Sequence, residues 1–268
     1  MVGIAGPNGA GKSTLIAMLL GFLPPDTGTI RIDGHDPRRF VEREGIAYLP
    51  ELMTLPLGWR AEDALARLAA LAGIAPAERR AACARVIEAV GIAEHAEKKL
   101  KALSKGNLQR VGLAQALLAD RRVMVFDEPT HGLDPVWTAR FRDIVAQLRR
   151  PDRAILIASH NLDELERLCD RVAILDRGRL QRVVSVREGD GAVGTLVRRW
   201  RVRAAAGAEV VAAQLPGSTL SGQVVDCTLD LAALNHGIAA AIAQGALISA
   251  ITPAESALEE AFRTAVAG

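Results

Sequence analysis

The sequence has few aromatic residues and few lysines. Aromatic side chains make up 3% of the 268 residues, whereas hydrophobic residues make up 50%. The hydrophobic residues are mostly Ala, Leu, Val and Ile, which argues against an aromatic-rich β-sandwich or a base-stacking surface and favours packed helices and buried parallel strands. Lysine occurs at only five positions, so an isolated lysine such as Lys12 draws attention.

Net charge, cysteine pairs and long apolar runs are also scarce. The 33 basic and 31 acidic residues leave a net charge of +2, so no global field attracts nucleic acid. The three cysteines, Cys83, Cys169 and Cys227, form no CxxC pair, which argues against a disulfide framework or a zinc site. The sequence has no uninterrupted run of 18 apolar residues, and its N-terminus does not resemble a signal peptide. We therefore expect a soluble chain in a reducing compartment.

Short apolar runs alternate with helical patterns over residues 1–184. Alternating strands and helices predict a doubly wound α/β sheet with its ligand site at the carboxyl ends of the strands. A mostly helical subdomain is expected over residues 61–118. The predicted strands are 1–5, 29–32, 45–49, 122–126, 154–158 and 172–175. The other predicted helices are 13–22, 136–149 and 161–168.

The pattern changes after Gly178. Residues 185–199 combine glycine and charge and are predicted to be a linker, and residues 200–268 a small α+β domain. Its predicted strands are 200–205, 223–229 and 247–251, and its predicted helices are 208–214, 231–243 and 255–266.

The strongest motif is the segment Gly6–Thr14, GPNGAGKST, which fits the P-loop pattern and lies between a predicted strand and a predicted helix. Its glycines let backbone N–H groups surround phosphates, and the helix N-terminus adds positive potential. A glycine turn that only starts a helix is the alternative interpretation. The residues predicted to bind nucleotide here are Gly6, Asn8, Gly9, Gly11, Lys12, Ser13 and Thr14, with Ser13 on Mg²⁺ and Lys12 on the β- and γ-phosphates.

The segment VMVFDE at residues 123–128 is typical of a Walker B strand, four apolar residues followed by two carboxylates. Asp127 at the strand end is predicted to hold Mg²⁺ through water, and Glu128 to polarise the attacking water. A buried strand followed by an acidic turn is the structural alternative, and the P-loop makes the catalytic interpretation the better one.

The segment LSKGNLQR at residues 103–110 resembles the signature motif of ABC ATPases. The resemblance implies that Ser104 and Gly106 form an anion site that closes on the ATP of an opposite subunit. Lys105 replaces the usual glycine of the motif and Asn107 the usual glutamine. A capped helix start is the structural alternative.

Two further segments carry the same resemblance. Residues 132–135, GLDP, resemble the D-loop, in which Asp134 reaches across the dimer. Ser159-His160 resembles the H-loop, in which His160 contacts the γ-phosphate and the attacking water. The other four histidines are expected to be ordinary surface or core residues; they are His35, His95, His131 and His236.

The sequence also departs from the family pattern. Glu51 stands where the family has the Q-loop glutamine, and a carboxylate there could face Mg²⁺ while adding negative charge near the phosphates. The LPE segment at 49–51 and the ending at 252–262 resemble the ABC-2 export class. Only five residues precede Gly6, so either a late start or a truncated cassette is expected, and no residue is assigned to adenine stacking.

The resemblance implies an ATP-hydrolysing subunit that uses ATP and Mg²⁺, pairs with a copy of itself or another cassette, and powers a separately encoded integral membrane permease, with export as the expected direction. It would be cytoplasmic and peripheral on the inner face of the cell membrane, without a nucleic-acid partner. Residues 52–59 are an apolar candidate for permease docking. Two alternatives stay open: a soluble ABC ATPase acting on ribosomes or DNA, and a regulatory ATP binder that has lost catalytic activity.

Overall fold

The structure is a computed structural model that describes residues 1–186, 198–254 and 256–266. The chain divides into two compact units, Met1–Val184 and Ser185–Gly268. Most of the predicted linker, residues 187–197, lies outside the described residues, as does Glu255 of the predicted C-terminal motif. Within the described ranges, no helix is both long enough and apolar enough to cross a bilayer.

The first unit is built on a six-stranded sheet with the order β2-β3-β4-β1-β5-β6. Four neighbouring pairs, from β2–β3 to β1–β5, are parallel. The strands are β1 Val2–Ala5, β2 Ala47–Leu49, β3 Val123–Asp127, β4 Ala154–Ser159, β5 Arg171–Asp176 and β6 Arg179–Ser185. The parallel strands are continuous apolar runs because they are covered on both faces, and their carboxyl ends meet at one edge of the sheet.

Helices follow the strands as predicted, and four of the helices in this unit begin after a polar residue that caps them. Asp36, Ser104, Asp134 and Asn161 accept a hydrogen bond from a backbone N–H in the first turn of the helix that follows. The helices are α1 Lys12–Leu19, α2 Pro37–Arg43, α3 Ala61–Leu71, α4 Pro76–Ala89, α5 Lys105–Leu117, α6 Pro135–Gln147 and α7 Leu162–Leu168. The helices α3, α4 and α5 pack against one another and form the helical region expected over residues 61–118.

The core near the P-loop joins α1 to the centre of the sheet. Ile16 of α1 is buried in one cluster with Ile4 of β1, Val125 of β3 and Leu175 of β5. Burying a side chain of this size stabilises the fold by roughly 1.5–3 kcal/mol. The packing therefore fixes the start of α1 at the carboxyl edge of the sheet, where β1 and β3 end.

The second unit is a four-stranded sheet with the order β10-β7-β9-β8, antiparallel throughout. Its core contains Val202 and Val225 from the sheet and Val211 and Leu234 from the helices. Its elements are β7 Arg198–Ala206, α8 Ala208–Gln214, β8 Thr219–Ser221, β9 Val224–Leu229, α9 Leu231–Ala243, β10 Leu247–Pro253 and α10 Ala257–Val266.

The secondary structure differs from the sequence prediction in four places. The strand expected at 29–32 was wrong, since only an isolated bridge between Ile32 and His35 forms there. The sequence analysis missed β6, whose residues are mostly exposed and charged and so lack an apolar signal. A two-residue turn of Arg177 and Gly178, both at positive φ, joins β5 to β6 in the manner of a tight hairpin. The sequence analysis also missed α2 and the short exposed strand β8.

Candidate active site

A cleft of about 330 Å³ lies at the carboxyl edge of the first sheet. The residues after β1, β3 and β4 meet there because the carboxyl ends of parallel strands share one edge. The cleft is lined by Asn8, Gly9, Ala10, Gly11, Lys12, Ser13, Thr14, Glu51, Asp127, Glu128, His131 and His160. The structure thus brings all of the P-loop residues predicted to bind nucleotide except Gly6 to the wall of one cleft.

The P-loop backbone explains its glycines. Gly9 has φ 83° and Gly11 has φ 100°, a left-handed region that side chains rarely adopt. Gly6 is required for a different reason, because a Cβ there would lie 2.6 Å from the carbonyl oxygen of Leu175. Gly6 therefore shapes the loop from behind, whereas the loop from Asn8 to Thr14 faces the cleft.

Lys12 is buried at the centre of the loop. Its Nζ donates a hydrogen bond of 2.8 Å to the carbonyl oxygen of Gly6 and lies 3.6 Å from Glu128 Oε1. A buried ammonium needs such partners, since an unpaired charge out of water is costly. The loop thus holds the Lys12 ammonium beside the Glu128 carboxylate in the cleft, where it could bind phosphate oxygens.

Ser13 and Asp127 form a polar pair across the cleft floor. Ser13 Oγ donates to Asp127 Oδ2 at 3.2 Å. Asp127 is buried, and its Oδ1 has no hydrogen-bond partner in the described part of the chain. Burial raises the pKa of Asp127, the Ser13 hydrogen bond opposes that rise, and the neighbouring charges of Glu128 and Glu51 add to it.

These residues fit Mg²⁺. A buried carboxylate oxygen without a partner and an adjacent hydroxyl are oxygen ligands of the kind Mg²⁺ takes, completed by water and substrate phosphates rather than by a cage of side chains. The described ranges accordingly contain no cluster of three or more His, Cys, Asp or Glu suited to a metal. Ser13 and Asp127 are therefore the residues that would hold the ion.

Glu128 is held in a constrained conformation at the end of β3. Its φ is 46°, an uncommon value for a residue with a side chain, and its N–H donates to the carbonyl oxygen of Ala158 at 2.8 Å. The backbone N–H of His160 donates to Oε1 at 3.0 Å, and His160 Nδ1 lies 2.7 Å from Oε2. The His160 side chain is 61% exposed whereas that of Glu128 is 8% exposed, so the carboxylate is fixed and the imidazole faces the cleft.

Another buried carboxylate, Glu164, lies close to Glu128 and was not predicted. The Ser159 hydroxyl lies 3.3 Å from Glu128 Oε2 and 3.2 Å from Glu164 Oε2, and Thr130 Oγ1 donates to Glu164 Oε2 at 2.8 Å. Burial raises the pKa of Glu164, while the hydroxyls of Thr130 and Ser159 lower it. The only sequence signal was an acidic residue in the first turn of α7, which is ordinary at a helix start.

Glu51 and His131 occupy the rim of the cleft. Glu51 Oε1 lies 3.3 Å from His131 Nδ1, and His131 Nε2 lies 2.6 Å from Lys105 Nζ. The sequence analysis expected His131 to be an ordinary histidine, and the structure instead places it on the cleft wall. Glu51 lines the cleft together with Ser13 and Asp127, and its role toward Mg²⁺ stays a prediction.

Ser104, Gly106 and Asp134 are not brought to the cleft. Ser104 caps α5 by accepting from the Asn107 N–H at 3.2 Å, and Asp134 caps α6 by accepting from the Trp137 N–H at 2.9 Å. The three residues belong to neighbouring loops, because a Cβ on Gly106 would lie 3.0 Å from the carbonyl oxygen of Gly132. None of the three lines the P-loop cleft of its own chain.

The parallel sheet, the P-loop on α1 and the paired carboxylates after β3 define a P-loop nucleotide-binding domain. A family profile described as ABC transporter matches residues 1–131, and one described as AAA domain, putative AbiEii toxin, Type IV TA system matches residues 98–166. The chain belongs to the ABC transporter ATP-binding protein family.

Individual relatives support this membership. A solved structure described as the ATP binding subunit of an ABC transporter is 30% identical, with a TM-score of 0.63 over 70% of this chain and 79% of its own. An uncharacterised ABC transporter ATP-binding protein of Nostoc sp. is 39% identical over 66% of this chain and 54% of its own length. A methionine import ATP-binding protein of Thermobifida fusca is 38% identical over 66% of this chain and 57% of its own. The chain thus spans little more than half the length of these curated relatives.

Proposed function

We propose that this protein is an ATPase that binds ATP with Mg²⁺ and powers an ABC transporter. The observation that carries the proposal is the position of Glu128. A buried carboxylate, bonded to His160 and 3.6 Å from the P-loop lysine Lys12, faces the same cleft as Ser13 and Asp127. Hydrolysis of a γ-phosphate requires this set of groups in one place.

The side chains of the cleft have distinct roles in this mechanism. Lys12 and the backbone N–H groups of the P-loop bind the β- and γ-phosphates, and Thr14 supports the α-phosphate side. Ser13 and Asp127 would hold Mg²⁺, and the bound ion would neutralise part of the charge on the phosphates. Glu128 would accept a hydrogen bond from the attacking water and take its proton as the water oxygen bonds to the γ-phosphorus, while the bond from the γ-phosphorus to the β,γ-bridging oxygen breaks and ADP leaves. His160 orients Glu128 and would contact the γ-phosphate and the attacking water.

A second cassette would complete the site. Ser104, Gly106 and Asp134 lie outside the cleft of their own chain, yet Ser104 caps α5 and Gly106 lies in its first turn, where backbone N–H groups have no partner within the helix and suit an anion. Two copies related by a two-fold axis would place these loops over each other's P-loops. We infer closure of such a dimer on ATP and its opening after hydrolysis as the power stroke.

The membrane partner would be a separately encoded permease. The segment 52–59 follows Glu51, and its side chains Leu52 and Leu57 are 63% and 54% exposed. Exposed apolar side chains beside the nucleotide cleft suit a docking surface. With such a partner the protein would lie in the cytoplasm on the inner face of the membrane. The segments 49–51 and 252–262 support an exporter of the ABC-2 class, with residues 200–268 as its accessory domain, whereas the methionine relative is named for import.

The test is ATP turnover and partner capture with the full chain. The purified protein should release phosphate from ATP in the presence of Mg²⁺, and Lys12→Met, which keeps the length of the side chain and removes its charge, should abolish both release and tight ATP binding. Binding without turnover, even together with the membrane partner, would instead indicate a regulatory ATP binder. When the full chain is purified from the membrane fraction of expressing cells, an integral membrane protein should co-purify with it. Recovery with ribosomes or DNA alone would contradict the transport assignment.

A further inference from the structure

Two departures from the family pattern face each other across one histidine. Lys105 stands at a signature position where the family has glycine, and Glu51 stands where it has glutamine. His131 lies between them, with Nε2 at 2.6 Å from Lys105 Nζ and Nδ1 at 3.3 Å from Glu51 Oε1. The positive side chain, the ring and the negative side chain form a continuous line from the start of α5 to the wall of the cleft.

The chemistry of the three groups fixes the position of the ring proton. A lysine ammonium has only donors, so Nε2 of His131 must accept and must lack a proton. The neutral ring therefore carries its hydrogen on Nδ1, and that N–H is directed to the side on which Glu51 lies. Nδ1 is buried and has no hydrogen bond of good geometry in the described ranges. A buried donor without a partner is costly, which favours rotation of the Glu51 carboxylate onto it.

The path of Lys105 depends on a glycine. The Lys105 stem crosses Gly132, where an added Cβ would lie 3.0 Å from Lys105 Cδ and 3.1 Å from Cγ. Gly132 also has φ 80°, which a side chain would strain. The backbone at Gly132 is thus shaped to let the lysine pass over it and reach His131.

We propose that Lys105 and His131 are positioning residues that hold the Glu51 carboxylate and offset its charge. Glu51 adds a third carboxylate to a cleft that already contains Asp127 and Glu128, and this cleft would receive the negative phosphates of ATP. The positive charge of Lys105 polarises the neutral His131 ring, and in this way it offsets the negative charge of Glu51 within the same chain. The inference rests on the proposed ATP binding only in its expected effect on nucleotide affinity, because the proton on Nδ1 is a property of the nucleotide-free protein.

The first test reads the ring directly. In ¹⁵N spectra of the full chain labelled at histidine, assigned with His131→Asn, the His131 ring should show a protonated Nδ1 and an unprotonated Nε2. Lys105→Met combined with Glu51→Ala, which removes both the ammonium that requires an unprotonated Nε2 and the carboxylate that accepts from Nδ1–H, should return the ring to the Nε2–H form that free imidazole side chains prefer. Lys101→Met, which removes a lysine from the preceding turn, should leave the ring unchanged. An Nε2–H ring in the unmodified protein would overturn the proposal.

The second test measures the consequence for nucleotide affinity by calorimetry with ATP, with Mg²⁺ and with EDTA. Lys105→Met should weaken ATP binding on the order of fivefold, the size expected for a partly exposed charge network. In a Glu51→Gln background the same substitution should change affinity less than about twofold, since the charge to be balanced is gone. Equal effects in both backgrounds would refute the coupling. A chain that binds no ATP but has the Nδ1–H ring would refute the proposed function and leave the positioning role intact.

Discussion

Replacing Glu128 by glutamine isolates the chemical step from folding and binding. The carboxylate accepts from the His160 N–H at 3.0 Å through one oxygen and approaches the His160 ring at 2.7 Å through the other. An amide oxygen keeps the first bond, and the amide NH₂ donates to an unprotonated ring nitrogen in place of the second. Glu128→Gln should therefore fold, with a thermal midpoint close to that of the unmodified chain.

The rate should fall far more than the stability. A positioned general base contributes roughly 10²–10⁴-fold to turnover, which corresponds to about 3–5 kcal/mol of transition-state stabilisation. ATP affinity should be retained or should rise, because one negative charge 3.6 Å from Lys12 Nζ is removed from a cleft that accepts phosphates. The assay is steady-state phosphate release at saturating ATP and Mg²⁺, with affinity measured separately.

Glu164→Gln is the matched control. Glu164 is also a buried carboxylate, it shares the Ser159 hydroxyl with Glu128, and it does not line the cleft. Its turnover should stay within a few-fold of the unmodified protein. If Glu128→Gln retains more than about a tenth of the turnover, a loss smaller than any general base provides, the water is polarised by another group. If both variants lose turnover equally, the effect belongs to the buried network and not to Glu128.

Three further predictions concern neighbouring residues. Glu51→Gln should keep ATPase activity within a few-fold, and a complete loss would show that the carboxylate is chemically required. Gly6→Ala should destabilise the fold by about 1–3 kcal/mol and lower the thermal midpoint by about 2–12 °C, because its Cβ would lie 2.6 Å from a backbone oxygen; Gly58→Ala, which meets nothing within 4 Å, is the control. Burial raises the pKa of Glu164 above its ordinary value of 4.5, so its contribution to stability is full below that pH and is lost as pH rises through the folded-state pKa. As pH rises from 4.5 toward neutrality, the thermal midpoint of the unmodified chain should therefore fall relative to that of Glu164→Gln. A difference between the two midpoints that does not change with pH would contradict this.

The sequence predicted the parts of the site that are contiguous in the chain. The P-loop and the Asp127–Glu128 pair each combine an apolar strand with its polar end, so local pattern fixes both the element and the chemistry. Glu164 and His131 were missed because their roles arise from contacts 34 and 26 residues away along the chain. The false strand at 29–32 shows the limit of alternation alone, since no strand among the described residues pairs with it and it forms only the bridge from Ile32 to His35.

The positions of the remaining predicted residues follow from what caps the helices. The Ser104 and Asp134 side chains are used within their own chain as helix caps, and the close approach of Gly106 to Gly132 keeps the two capped loops together. A cap satisfies one N–H of the first turn and leaves others directed outward, so the same serine that starts α5 also leaves an anion site open. Lys105 at the first turn of α5 would direct its charge into that site if it were free. Its bond to His131 turns the ammonium toward Glu51 instead, which leaves the backbone N–H groups at the start of α5 open to an anion.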